Sequence, residues 1–281
     1  MINRTLLCIL LLCCLAACRN SPVQKDIPAN YTDSSKAAAD DEFHEANYKK
    51  AAELYAKFAD KNSSSETLFN YAESLRISGN IAKAKDYYDM AIAKESGMLA
   101  AIEGKSLCYI QEGKFKEAQN LLEEVVSRDA SRWRSINALG VVYAMNGNLN
   151  KALEYYNIAL DVSKNNPAVL NNMALSLTFS GDKERGKKLL EKTLSNLDLA
   201  KDKKQKIEYN LALIYGISGD MDKAKSILAK YLPEAEVYNN LGVYAKMAKN
   251  DDLAKEYLSK ALSSSPVYYD KAGKNLETIA R

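Results

Sequence analysis

Apolar and small side chains return along this chain in a long register, not just at the spacing of one helix turn. NYAESLRISGNIAKAKDYYDMAI (70–92) lines up with NALGVVYAMNGNLNKALEYYNIAL (137–160): a small residue, Tyr or Leu three on, then Gly-Asn, then Ala five after the glycine. A marker alanine recurs at Ala51, Ala84, Ala118 and Ala152, and its slot continues at Gly186, Ala224 and Ala254. The spacings are 33, 34, 34, 34, 38 and 30 residues. Each period holds two segments with helical apolar spacing and a glycine between them, which predicts two helices and a turn. The chain therefore reads as all-α.

The slots have physical reasons. Ala72, Ser106, Gly140, Ala174, Ala212 and Gly242 keep the first helix of each pair slim, and the marker residues do the same for the second. Larger residues fill the gaps: Leu75, Tyr109, Tyr143, Leu177 and Tyr215 from first helices, and Tyr88, Leu122, Tyr156, Leu190, Leu228 and Leu258 from second ones. Gly79, Gly113, Gly147, Gly181 and Gly219 end first helices, where a left-handed residue is wanted. Asn80, Asn148, Asp182 and Asp220 follow as N-caps of the second helices. A helix-turn-helix unit of about 34 residues resembles the tetratricopeptide repeat (TPR). The resemblance implies a right-handed superhelical solenoid of antiparallel helix pairs with a C-terminal capping helix.

Six clear repeats run from Ser65 to Pro266. A degenerate one precedes them, in which Tyr48, Ala51 and Tyr55 fit the second helix and the first is expected to be short. Val267 to Ile279 reads as the capping helix, with Tyr268, Ala272 and Leu276 on one face. Two places break the period. NLDLAKDKKQK (196–206) inserts about four residues, prolonging a helix or a loop, and a second helix is expected to stop early near Pro233.

The start of the chain follows a different pattern. Leu6 to Leu15 is a ten-residue apolar run behind Arg4. It is shorter than the ~20 residues that span a bilayer and suits a signal peptide. Leu15-Ala16-Ala17-Cys18 resembles the lipobox of bacterial lipoproteins. That resemblance implies cleavage of residues 1–17, acylation of Cys18 and, with Arg19 next, sorting to the outer membrane. The alternative is an ordinary secretory leader cut after Ala17. Residues 18–32, with two prolines, read as a tether of roughly 20 Å, and residues 33–281 as the solenoid.

Composition narrows the chemistry. Without residues 1–17 the chain has 38 basic and 36 acidic residues, a balance that does not favour nucleic acid. His44, in a polar stretch, is the only histidine, and Cys108 is the only unmodified thiol left, so a His/Cys zinc site is excluded. No G-x-S-x-G turn, phosphate loop or G-x-G-x-x-G is present. The chain does not read as an enzyme: the sequence names no catalytic residue, metal, cofactor or small-molecule substrate.

In the resembled fold the first helices line a concave, partner-binding face. Two rows fall there. Asn70, Asn172, Asn210 and Asn240 share one slot, and Asn137, Asn171 and Asn239 the slot before it. Carboxamides both donate and accept, so such a ladder suits an extended peptide backbone, or it bonds only within the array. The second row is apolar: Leu107, Val141, Leu175, Leu213 and Val243, beside Ile77, Met145, Phe179, Ile217 and Met247. It is either a binding strip centred on Met145, Phe179 and Ile217 or is covered by curvature or by a terminus. Trp133 is a structural anchor or a surface contact.

The segments LNNMALSLTFSGDKERGKKLLEKTL (170–194), IEYNLALIYGISGDMDKAKSIL (207–228) and VYNNLGVYAKMAKNDDLAKEYL (237–258) resemble the TadD-like lipoproteins of tight-adherence (Tad/Flp) pilus assembly. The resemblance implies a lipid-anchored, periplasm-facing scaffold of the outer membrane that supports a pilus secretin. The alternative is a scaffold for outer-membrane protein insertion or for cell-wall enzymes.

Overall fold

The computed structural model describes residues 31–196, 198–265 and 270–280. Every regular element among them is a helix, and there are fifteen. The expected leader, Cys18 and nearly all of the expected tether lie outside the described residues, as do Pro266 and Tyr268. The described chain divides into two compact units between Lys164 and Asn165.

The first unit holds α1 (Tyr31–His44), α2 (Tyr48–Tyr55), α3 (Ser65–Ile77), α4 (Ile81–Lys94), α5 (Leu99–Gln111), α6 (Phe115–Arg128), α7 (Trp133–Met145) and α8 (Leu149–Ser163). Each helix packs on the next, and the first helices pack on one another, α1 on α3, α3 on α5 and α5 on α7. The second unit holds α9 (Pro167–Phe179), α10 (Lys183–Asn196), α11 (Lys201–Ile217), α12 (Met221–Leu228), α13 (Glu234–Met247), α14 (Asp251–Ser263) and α15 (Asp270–Ala280). It repeats the scheme, with α9 on α11, α11 on α13 and α13 on α15. Both units stack helix pairs in the TPR manner.

The turn chemistry forms as expected. Gly79, Gly113, Gly147, Gly181 and Gly219 have φ between 74° and 105°. The side-chain oxygens of Asn80, Asn148, Asp182 and Asp220 each accept from the backbone N–H three residues on, at 3.1–3.4 Å. The last pair lacks the glycine, and Lys249 takes the left-handed conformation instead, at φ 64°. The slim slots permit close approach. A Cβ on Gly140 would lie 2.6 Å from the Tyr156 ring, and one on Gly186 would lie 2.6 Å from the Ala174 carbonyl oxygen. The gap-filling Tyr88, Leu122, Tyr156 and Leu190 are fully buried.

The first repeat departs from expectation. Its first helix is not short: α1 runs 14 residues and begins at Tyr31, two residues inside the expected tether. Its apolar content is low, so periodicity does not mark it, but Ala39 and Phe43 are buried and the Tyr55 hydroxyl bonds Asp40. The two period breaks are structural. α11 is 17 residues long where α3, α5, α7 and α9 are 13, so the insertion adds one turn at a helix start. α12 stops after 8 residues, and Pro233 stands at the N-cap of α13. Glu208 secures the shortened return, accepting from the Tyr231 hydroxyl and from Lys230 at 3.0 Å. The capping helix runs from Asp270, with Ala272 and Ile279 buried and Leu276 half-buried.

Candidate partner-binding face

First helices that lie side by side bring equal slots into rows. In the second unit α9 presents Asn171 and Asn172, α11 presents Asn210, and α13 presents Asn239 and Asn240. These carboxamides bond across neighbouring helices. Asn210 Nδ2 donates to Asn171 Oδ1 at 2.8 Å, and Asn275 Nδ2 on α15 donates to Asn239 Oδ1 at 2.9 Å. Asn240 turns back on its own helix, its Nδ2 donating to the Glu236 carbonyl at 2.9 Å. The ladder thus ties neighbouring helices of the array together.

Depth divides the expected site residues. Asn70, Asn137, Asn171, Asn172, Asn210 and Asn239 are buried, as are Met145, Leu175, Leu213 and Ile217. Phe179, Asn240, Val243 and Met247 are half-buried and carry the accessible part of the rows. All four belong to the second unit, whereas Asn70, Asn137 and Met145 belong to the first. In the first unit Leu107 and Val141 are buried and Ile77 is half-buried. Trp133 is half-buried at the start of α7, with the Arg134 guanidinium 5.5 Å from its ring centroid. His44 is exposed.

Two polar groups on the first unit's first helices escaped the sequence reading. Glu103 occupies the slot of Asn137 and Asn171, each 34 residues on, and accepts from the Ser135 hydroxyl at 2.6 Å. Its burial raises its pKa despite that bond and despite Arg134 and Arg132. The 34-residue slot would have found it. Arg76 is buried to 2% exposure and donates to Glu73 from Nε at 3.1 Å and from Nη2 at 2.5 Å, and the Tyr88 hydroxyl also donates to Glu73. Cys108 lies in the same core, its thiol pushed up to about 12 by burial and so inert.

Between repeats, a tyrosine from a first helix joins two second helices. Tyr215 donates to Glu191 at 2.5 Å, and Lys223 sits 5.1 Å from its ring centroid. Burial, followed by Glu191, pushes its phenol up to about 12. Tyr143 likewise receives Gln119 at 3.1 Å, with Lys151 4.3 Å from its ring centroid.

Comparison with known proteins agrees with this geometry. Residues 108–167, 208–232 and 235–268 match models of the tetratricopeptide repeat. These segments carry tetratricopeptide repeats, and the helix pairs around them have the TPR fold. A stretch of 47 residues is 43% identical to the photosystem I assembly protein Ycf3 of Rippkaea orientalis, covering 17% of this chain and 27% of that protein. The match thus spans about a quarter of the curated relative's length. Three solved structures share the fold. A TPR protein from Parabacteroides merdae superposes with TM-score 0.60 at 15% identity over 88% of this chain and 98% of its own. A chain of the APC/C hetero-tetramer Cut9–Hcn1 gives 0.62 at 16% over 90% and 50%. A thermophilic TPR protein of Thermus thermophilus gives 0.55 at 18% over 71% and 100%.

Proposed function

We propose that this chain is a protein-interaction scaffold whose second unit holds a partner segment against α9, α11 and α13. The observation that carries the reading is the set of half-buried groups on α9 and α13, Phe179 on the first and Asn240, Val243 and Met247 on the second, with buried carboxamides and aliphatics beside them, including Asn210, Leu213 and Ile217 of the intervening α11. Apolar anchors beside polar groups that orient a chain are the usual anatomy of a peptide-binding surface. Methionine at the rim suits a partner whose side chains pack unevenly.

The lipobox-like Leu15-Ala16-Ala17-Cys18 supports placing the scaffold on a membrane through acylated Cys18, facing the periplasm at the outer membrane. The Tad-like segments support a role in pilus secretin assembly, and the assembly function in the name of the short-range relative is in keeping with such work. A photo-crosslinking residue placed at Phe179 or Met247 tests the face directly. Cross-linking in native membranes yields one defined partner adduct, whereas the same probe at Ile158, exposed on α8, yields none. Equal adducts from both positions overturn the reading.

A further inference from the structure

We propose that the lysine-rich surface of α10 and of the first turn of α11 is a second contact surface, fitted to an acidic polypeptide segment; it borrows from the scaffold reading only that the occupant is a protein. Residues 183–206 hold nine basic and four acidic residues, a surplus of five in a chain whose total is +3. The rest of the chain is therefore slightly acidic, and the positive charge is concentrated here. It coincides with the insertion that breaks the repeat: the added turn of α11 is Lys201, Asp202, Lys203 and Lys204.

Geometry keeps these charges available. α10 packs on α11, and Lys188 and Lys192 are exposed on the first, Lys201 and Lys204 on the second. Their neighbours are engaged: Arg185 with Asp182 at 3.3 Å, Lys187 with Glu184 at 2.7 Å, and Lys183 with the Ile217 carbonyl at 2.7 Å. Among the described residues, no carboxylate lies within 4.0 Å of the four exposed lysines. Some exposed lysines elsewhere close such pairs, as Lys260 does with Glu256 at 2.5 Å; what sets this stretch apart is its surplus of five positive charges. A local surplus of one charge on two packed helices steers an oppositely charged partner. Lysines without exposed aromatics or arginines between them lack the stacking and forked donors of a nucleic-acid surface, which favours carboxylates as the complement. The N-cap of α11, Ala200, makes no side-chain cap, so its first-turn N–H groups add positive potential at the same place.

The test is fluorescence anisotropy of a labelled poly-glutamate peptide titrated with the detergent-solubilised full chain. The wild type binds, and binding falls steeply with salt. The triple variant Lys188→Glu, Lys192→Glu, Lys201→Glu loses at least about tenfold in affinity with an unchanged helical spectrum. The neutral triple variant to Gln loses an intermediate amount. Phe179→Asp keeps the binding, so failure here is distinct from failure of the partner face. Absence of salt-sensitive binding by the wild type overturns the proposal. So does an equal loss in the control Lys94→Glu, Lys116→Glu, Lys255→Glu, all exposed and remote in sequence. Binding to phosphatidylglycerol vesicles without binding to the peptide also overturns it, assigning the patch to lipid.

Discussion

Asn210 donates its side-chain amide to the side-chain oxygen of Asn171 at 2.8 Å, tying α11 to α9 where both side chains are buried. The bond crosses 39 residues of sequence, so it stabilises the stacking of one repeat on the next, not a single helix. Asn210→Ala removes the donor and leaves a buried acceptor short of it, a change that costs about 1–3 kcal/mol. In urea unfolding, the double variant with Asn171→Ala should lose less than the sum of the two singles, because they share one bond. Strict additivity would show that the pair is not coupled.

Glu103 predicts a pH effect of definite sign. Its folded pKa is raised, chiefly by burial, above the ordinary 4.5. A carboxyl whose folded pKa is raised binds its proton more tightly in the native state. Its ionisation therefore lowers stability as pH climbs from about 4.5 through the raised value. Glu103→Gln keeps an oxygen for the Ser135 hydroxyl and carries no charge. The variant should melt higher than the wild type at pH 7, and the gap should close below pH 4.5. A variant that melts lower at neutral pH would mean that the charge is used in the fold.

Much of this architecture was legible because the repeat imposes backbone demands that few residues meet. A left-handed residue between paired helices calls for glycine, and a free helix start calls for Asn or Asp. The glycine marked five of the turns, and in four of them the Asn or Asp followed; Lys114, after Gly113, makes no side-chain cap. The slim contacts at Gly140 and Gly186 were visible for the same reason. α1 was hidden because YTDSSKAAADDEFH buries Ala39 and Phe43 but shows no continuous apolar stripe. Lys249 was hidden because a lysine does not advertise the positive φ it adopts. In the candidate face, residue type and slot were readable but depth was not. Leu175 and Phe179 lie one helix turn apart on α9, yet the first is fully buried and the second half-buried. Burial at that scale depends on how neighbouring helices close over a side chain, which a repeat register does not encode.

The anchor has a single-residue test. Of the cysteines at 8, 13, 14 and 18, only Cys18 follows two small residues, Ala16 and Ala17. Growth with a clickable fatty acid should label the wild type and leave Cys18→Ser unlabelled, with the variant released from the membrane fraction. Persistent label on that variant would place the lipid elsewhere.

Phe179 is the most direct handle on the partner face. Phe179→Asp places a charge where the account puts an apolar anchor, so partner capture should weaken by about 2 kcal/mol or more, as loss of a hot-spot side chain does. The measurement is quantitative capture from solubilised membranes by wild type and variant, with a melting curve on each. The account predicts an intact melting curve and a lost partner. A variant that unfolds would make Phe179 part of the core, and one that folds and still captures every wild-type partner would contradict the account at its centre.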